Sequence, residues 1–316
     1  MGNIILDFPN TKQESSYGEA DFEIASSPLM YKDAEGNSKV SSKHSIYRTD
    51  TGEELGVHGK NYSDPSQLSY KRMIDNQRSI FEKADLNTTD MKENIAVSGN
   101  GKRCFVTNVL PEETLITPDG DRASLSFLSA TSLDGTLPFI MSAGAEQGAC
   151  LNGQVFISGA ATLYKSRHNR LLDIDRGAKL ILDVTTTFQS EVDKWYEWSN
   201  TSITKDDARR EIAMLSNCPD VLDFGRLPRH PLDVSLKALR DNSKKINKAG
   251  RYLLVKWEEY STRMGMNRWA LYNTFTDWST HAPTRSTSNV SNVTYLRGER
   301  VKKHIITNFE TPSVAA

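Results

Sequence analysis

Two stretches of this chain concentrate groups that act on anions. The first is Lys165-Ser-Arg167-His168-Asn-Arg170. The second runs through Lys244, Lys245, Lys248, Arg251, Lys256, Arg263 and Arg268, interleaved with Tyr252, Trp257, Tyr260, Trp269 and Tyr272. Cationic side chains neutralise phosphates and release the counterions condensed on them. Aromatic faces stack on exposed bases, worth about 1–3 kcal/mol per base. A groove for a single nucleic-acid strand needs both, with Tyr252, Trp257 and Tyr260 as its stacking rings. The opposing consideration is helical spacing, which favours a core-facing stripe for the aromatics with the cations on the solvated side. The cation excess itself is regional. Arg226–His304 holds 16 Lys+Arg against 6 Asp+Glu, a net of +10, while the remainder carries a net of −11 and the whole chain −1. Such asymmetry suits an anionic partner, or a contact in which the two halves neutralise one another.

Other chemistries lack textual support. There is no phosphate-loop signature and no Gly-x-Gly-x-x-Gly after a strand, so no nucleotide cofactor is expected. Gly-x-Ser-x-Gly and His-Glu-x-x-His are absent. The six histidines are scattered singly, and the cysteines (Cys104, Cys150, Cys218) form no Cys-x-x-Cys. That usage suits a reducing compartment and argues against a zinc cage. Cys150 and His168 form a thiolate pair only if the fold brings them together. Asp173, Asp175 and Asp183 fall near a strand-to-helix junction, where two-metal nucleases place acids. Acids at a helix start are more simply explained by the helix dipole. The expectation is therefore a protein without catalytic residues, metal or cofactor.

The elements that must carry these groups follow from pattern. A chain of 316 residues has room for a large core or two domains. Residues 1–43 read as a polar, loop-like segment with weak strand text around Asp21–Ile24 and Leu29–Tyr31. Ser45–Arg48 and Glu54–Val57 flank Asp50-Thr51-Gly52, two strands about a tight turn. Asp64-Pro65 reads as a helix start, with an apolar face running to Phe81. Strand text follows around Gly99-Asn100-Gly101, Pro118-Asp119-Gly120 and Asp134-Gly135, an antiparallel meander, with further strands at 149–157 and 161–168. Leu180, Ile181, Val184, Phe188, Val192 and Trp195 share one stripe, predicting a long helix over 173–198. Thr204 caps a second, and Asp233–Ile246, Tyr252–Arg263 and Asn267–Thr280 read as helices. Ser286–Thr294 reads as a loop and the last dozen residues as a tail. The division is 1–43, a β-rich part 44–170 with one helix, a helical basic part 171–304 and a tail 305–316. Sheet before helices is α+β: an antiparallel β-meander followed by a helical carboxy-terminal half. No apolar run reaches the roughly 20 residues of a membrane span. The start MGNIILDF lacks a basic region and a long apolar stretch, so export is not expected.

Several segments resemble the phage- and plasmid-borne proteins grouped as domain of unknown function 932. They are Tyr47–Glu53 with Leu55-Gly56-Val57, Gly99–Leu110 with Pro111, and Ser132-Leu133-Asp134-Gly135-Thr136, where Leu133 stands in the place of a usual His. Cys150-Leu151-Asn152-Gly153, Ser166-Arg167-His168 and Trp269–His281, with Asp277 in place of Glu, complete the order over about 44–304. The resemblance implies a mobile-element protein in the cytoplasm of a bacterial host. The sheet-then-long-helix order is also similar to the strand-annealing proteins of phage recombination, a likeness of fold alone. The resulting expectation is a homo-oligomeric protein that binds or anneals single-stranded nucleic acid, DNA before RNA. The alternatives are a structural or interaction protein of a phage, and a metal-dependent nuclease using Asp173 and Asp175.

Overall fold

The computed structural model describes residues 16–59, 68–147, 152–155, 162–166, 173–222, 245–284 and 290–309. Two antiparallel sheets come first. Strands β1 (Ile24–Lys32), β2 (Ser38–Arg48) and β3 (Glu54–Gly59) pair in the order β1-β2-β3. Strands β4 (Lys92–Ser98), β5 (Arg103–Ile116), β6 (Arg122–Ser132) and β7 (Phe139–Gln147) form the meander. The far edge of β7 is shared by two short strands. β8 (Asn152–Val155) pairs its residues 144–147, and β9 (Thr162–Ser166) pairs 139–142. The expected α+β arrangement is present.

Period-2 alternation positions the meander. Val106, Asn108 and Leu110 on β5 face the same side as Leu125, Phe127 and Ser129 on β6 and Met141, Ala143 and Ala145 on β7, by register. Helix α1 (Tyr70–Lys83) lies on this side. Phe81 packs on Phe127 at 5.4 Å between ring centroids, and the Gln77 amide donates to Asn108 Oδ1 at 2.6 Å. Helix α2 (Ile174–Asn200) runs beside α1, and the missing side chain of Gly177 makes the approach possible. A Cβ there would sit 2.7 Å from Ile80 Cδ1. Ile181, Val184, Phe188, Val192 and Trp195 are buried, as their spacing predicts.

The helical half is built on aromatics. Helices α3 (Lys205–Ser216), α4 (Lys248–Met264), α5 (Arg268–His281) and α6 (Val290–Asn308) follow α2. Every residue of α5 from Trp269 to Ser279 is buried. A helix buried all round is normally apolar, yet this one carries Asn273, Thr274, Thr276, Asp277 and Ser279. Four of the five solve the problem within their own helix. Asn273 and Thr274 donate to the carbonyls of Trp269 and Ala270, Thr276 to that of Tyr272, and Ser279 to that of Thr276. Only Asp277 has to be satisfied from outside. Trp195, Trp269 and Tyr272 stack at interplanar angles of 24–29°, and Trp198 joins Tyr272 to Phe309 at 5.1 and 5.6 Å.

Three expectations need correction. Residues 24–32 and 38–43 are strand, not loop; their Ser- and Lys-rich text lacks a buried face to announce them. Helix α1 begins at Tyr70, where the Ser69 hydroxyl accepts from Arg72 N–H, and Asp64-Pro65 lies outside the described residues. Val290–Asn308 is helical, so part of the expected Ser/Thr/Asn loop and part of the tail belong to α6. Tertiary packing overrides poor intrinsic propensity there: Val301, Ile305 and Phe309 are buried, and Tyr295 meets Phe105 on the outer face of β5 at 6.3 Å. Of the helix read over Asp233–Ile246, only its last two residues are described.

Candidate nucleic-acid interface

Helix α4 carries most of the predicted cations, and its two ends treat them differently. Asn247 opens the helix, its Oδ1 accepting from Gly250 N–H at 2.8 Å. Cys218 Sγ accepts from Asn247 N–H at 3.4 Å, and the Asn247 amide donates to Ser216 O at 2.9 Å, fixing the start against the end of α3. Lys245, Lys248 and Arg251 are all exposed here. None of the three makes an ion pair or a side-chain hydrogen bond with a described residue. No acid occupies the first turn. The partial positive charge of a helix N-terminus favours acids and disfavours cations, so helix stability does not account for Lys248, the first residue of α4.

One and a half turns on, the cations are spent. Lys256 pairs with Glu259 at 2.8 Å and faces Asp277 at 3.7 Å. Arg263 reaches Asp119 at 3.5 Å, and its guanidinium lies 5.2 Å over the Tyr260 ring. Arg268, the first residue of α5, donates to Phe309 O at 3.1 Å and covers that ring at 5.7 Å. Asp119 is itself a hub: it also accepts from Thr117 Oγ1 at 2.8 Å and Trp269 Nε1 at 3.2 Å. It borders an open cleft of about 630 Å³ lined also by Asp121, Ser199, Asn267 and Met264. Two acids face one base in that lining, so the cleft does not extend the cation cluster.

The stacking rings are a correction to the groove reading. Trp257 and Tyr260 are buried, 4% and 6% exposed, on the core-facing stripe that helical spacing favours. Tyr252 is half-buried. Both tyrosines serve Asp277: Tyr252 Oη donates to its Oδ1 at 2.6 Å and Tyr260 Oη to its Oδ2 at 2.9 Å. Burial, reinforced by the Asp277 carboxylate, pushes the Tyr252 hydroxyl well above the usual tyrosine range. Their faces are therefore not offered to bases.

Lys165 stands exposed on β9; Arg167, Arg170, Lys244, Cys150 and His168 lie outside the described residues. The nuclease acids have other employment. Asp173 caps α2, its Oδ1 accepting from Arg176 N–H at 3.0 Å, and Asp175 pairs with Lys83 at 3.2 Å. No group of three or more His, Cys, Asp or Glu residues among the described residues is placed to hold a metal.

Two further open cations escaped the sequence reading. Arg300 and Lys303 are exposed on α6, one turn apart, with Arg300 also 6.0 Å from the Trp278 ring. Their neighbours face inward: burial depresses the Lys302 ammonium, and Arg297 donates to Pro283 O at 3.2 Å and to Ala282 O at 2.5 Å. The signal was the spacing Leu296, Arg300, Lys303, in a stretch of the basic part over which no helix was read.

The turns that carry the family likeness meet at one end of the sheets. Gly56 of β3 is pressed against the β6–β7 turn so closely that a Cβ would lie 2.4 Å from Leu133 O. His58 Nε2 is 2.5 Å from the same oxygen. Arg103 pairs with Asp134 at 3.2 Å and donates to Thr136 Oγ1 at 3.1 Å. Burial alone would raise the Asp134 carboxyl; hydrogen bonds from Thr136 and Ser132 and the charge of Arg103 outweigh it and hold the group below the usual range. Leu133 is 1% exposed and belongs to the core. This junction locks the small sheet to the large one.

No helix among the described residues is long and apolar enough to cross a membrane. Comparison with curated proteins and with solved structures finds no match. The model of one family, Domain of unknown function (DUF932), matches residues 54–298. Most of the meander and the whole central helix α5 fall inside that match, and the chain belongs to this family.

Proposed function

We propose that this chain is a nucleic-acid-binding protein of phage or plasmid DNA metabolism, acting in the bacterial host's cytoplasm. Its ligand is single-stranded DNA, which it anneals or protects as a head-to-tail homo-oligomer. The observation that carries this reading is the open cation cluster Lys245, Lys248 and Arg251 around the start of α4, with no described ion-pair partner and with Lys248 in a first turn that disfavours a cation. Arg300 and Lys303 add open positive charge on α6.

The mechanism follows from which groups are open. With Trp257 and Tyr260 in the core, the grip is on phosphates, and the bases stay free to pair with a second strand. No proton transfer or nucleophile is involved. Each phosphate neutralised on a single strand contributes about −0.7 to the slope of log affinity against log salt. Three contacts give a slope of roughly −2, so affinity falls roughly twenty-fold between 50 and 200 mM salt. Fluorescence anisotropy with labelled single-stranded and duplex oligonucleotides at those two concentrations tests it. A salt-dependent loss of single-strand affinity is expected, with duplex as the comparison. Absence of binding at low salt, or a response flat with salt, overturns the reading.

A further inference from the structure

The two groups of open cations meet at one end of α5. Helices α4 and α6 both run antiparallel to α5. Gly265, Met266 and Asn267 alone turn α4 back into α5, and Arg268 at the start of α5 donates to Phe309 O, just past the end of α6, at 3.1 Å. The start of α4 and the middle of α6 therefore flank the last turn of α5. On one flank Tyr252 Oη donates to Asp277 at 2.6 Å, and Lys248 stands one turn before Tyr252. On the other flank the guanidinium groups of Arg297 and Arg300 lie 5.3 and 6.0 Å from the Trp278 ring. Arg297 is also within electrostatic range of the Tyr252 hydroxyl, so the two flanks adjoin.

Between the flanks lies the C-terminal end of a helix, whose partial negative charge repels an anion. Arg297 covers it. One guanidinium donates to Trp278 O at 3.5 Å, Ala282 O at 2.5 Å and Pro283 O at 3.2 Å, which occupies carbonyls that would otherwise face an approaching phosphate.

The acids nearby do not cancel the open charge. Glu299, one turn before Lys303, is half-buried, acts on Tyr295 and Lys302, and pairs with neither Arg300 nor Lys303. Asp220 is exposed next to Val221, on which Gly250 packs, and pairs with none of the cations of α4. Glu258 lies two turns beyond Arg251. Lys245, Lys248, Arg251, Arg300 and Lys303 all stay exposed.

We propose that Lys245, Lys248 and Arg251 on α4 and Arg300 and Lys303 on α6 form one phosphate-binding site, and that a single DNA strand crosses the Arg297-capped end of α5 between them. The inference rests on the nucleic-acid reading above and adds that both clusters hold the same strand. Five phosphate contacts on a single strand give a salt slope of about −3.5, steeper than the roughly −2 of the α4 cluster alone.

Anisotropy of the full chain with a labelled oligothymidylate of about 20 nucleotides, above common single-strand site sizes, tests it. The wild type is expected to show the slope of about −3.5. The Arg300→Gln/Lys303→Gln double variant should bring it to about −2 and weaken binding about ten-fold at low salt, with an unchanged circular-dichroism spectrum and melting curve. Adding Lys248→Gln and Arg251→Gln should leave about −0.7. Lys303→Gln, which removes no ring contact, should lower the steepness by about 0.7 by itself. Arg300→Lys keeps the charge and should keep the slope. A double variant that binds with the wild-type slope and affinity overturns the proposal, because a separate or idle second cluster leaves the first untouched, and the nucleic-acid reading then stands on α4 alone. A slope lost in Arg300→Lys also overturns it, since Arg300 would then act through Trp278 and not on a phosphate. Absence of binding by the wild type brings down both.

Discussion

The two ends of α4 carry similar cations and use them in opposite ways. At its start, Lys245, Lys248 and Arg251 are open, with no described ion-pair partner, and the helix dipole works against Lys248. Further along, Lys256 and Arg263 are bound to acids and lie beside buried tyrosines. Net charge alone does not separate the two groups. What separates them is the neighbour: α5 brings Asp277 under the second half, and the β5–β6 turn brings Asp119 to its end, while the first turn projects past both. A regional excess of +10 therefore overstates the charge available to a ligand, and the surplus that counts is local.

The largest effect that sharpens this contrast is expected at Asp277. Removing it strands the hydroxyls of buried Tyr260 and half-buried Tyr252 and leaves Lys256 with Glu259 alone. Hydrogen bonds to a charged acceptor are worth roughly 1.5–3 kcal/mol each, so Asp277→Ala should cost about 3 kcal/mol or more by urea denaturation. Asp277→Asn, which keeps an acceptor, should cost distinctly less. Losses near zero in both variants would show that the tyrosine hydroxyls are indifferent to the carboxylate. Next comes the open end. Lys248→Gln with Arg251→Gln should lower affinity for a single-stranded oligonucleotide about ten-fold at low salt and reduce the salt slope by roughly 1.4, with stability unchanged within about 0.5 kcal/mol. A loss of affinity with an unaltered slope would break the assignment of these residues to phosphates. Arg263→Gln is the control from the neutralised end. It removes one partly exposed pair, worth about 0–1 kcal/mol, and should leave affinity and slope as they were.

These distinctions show where the sequence is legible. Period reading located the meander and α2 because each has one buried face: Phe127 with its alternating neighbours on β6, and Ile181 through Trp195 on α2. It also placed Trp257 and Tyr260 on the stripe that proved to be core. It failed where no single face is buried. The ribbon of β1 and β2 is exposed on both sides, so Ser, Lys and Asn there look like loop. Helix α6 begins in Ser, Asn and Thr and is held by distant contacts such as Tyr295 on Phe105. The fates of Lys256 and Arg263 were illegible for a different reason. Their acids come from residues 119 and 277, and a one-dimensional count cannot say which carboxylates fold back onto which cations.

The smallest predicted effect separates ligand binding from folding most cleanly. Lys248 sits in the first turn of α4, where a negative group interacts favourably with the helix dipole and a positive one does not. Lys248→Glu should therefore stabilise the protein, by about 0.3–1 kcal/mol at low ionic strength, while it lowers affinity for DNA. Few surface substitutions are expected to move the two quantities in opposite directions, because damage to the fold lowers both. Paired urea and anisotropy measurements on this variant make the distinction. Higher stability with weaker binding means that Lys248 is kept for a ligand at some cost to the helix. Lower stability would mean that an interaction within the fold holds Lys248, and the open cluster at the start of α4 would be reduced to Lys245 and Arg251.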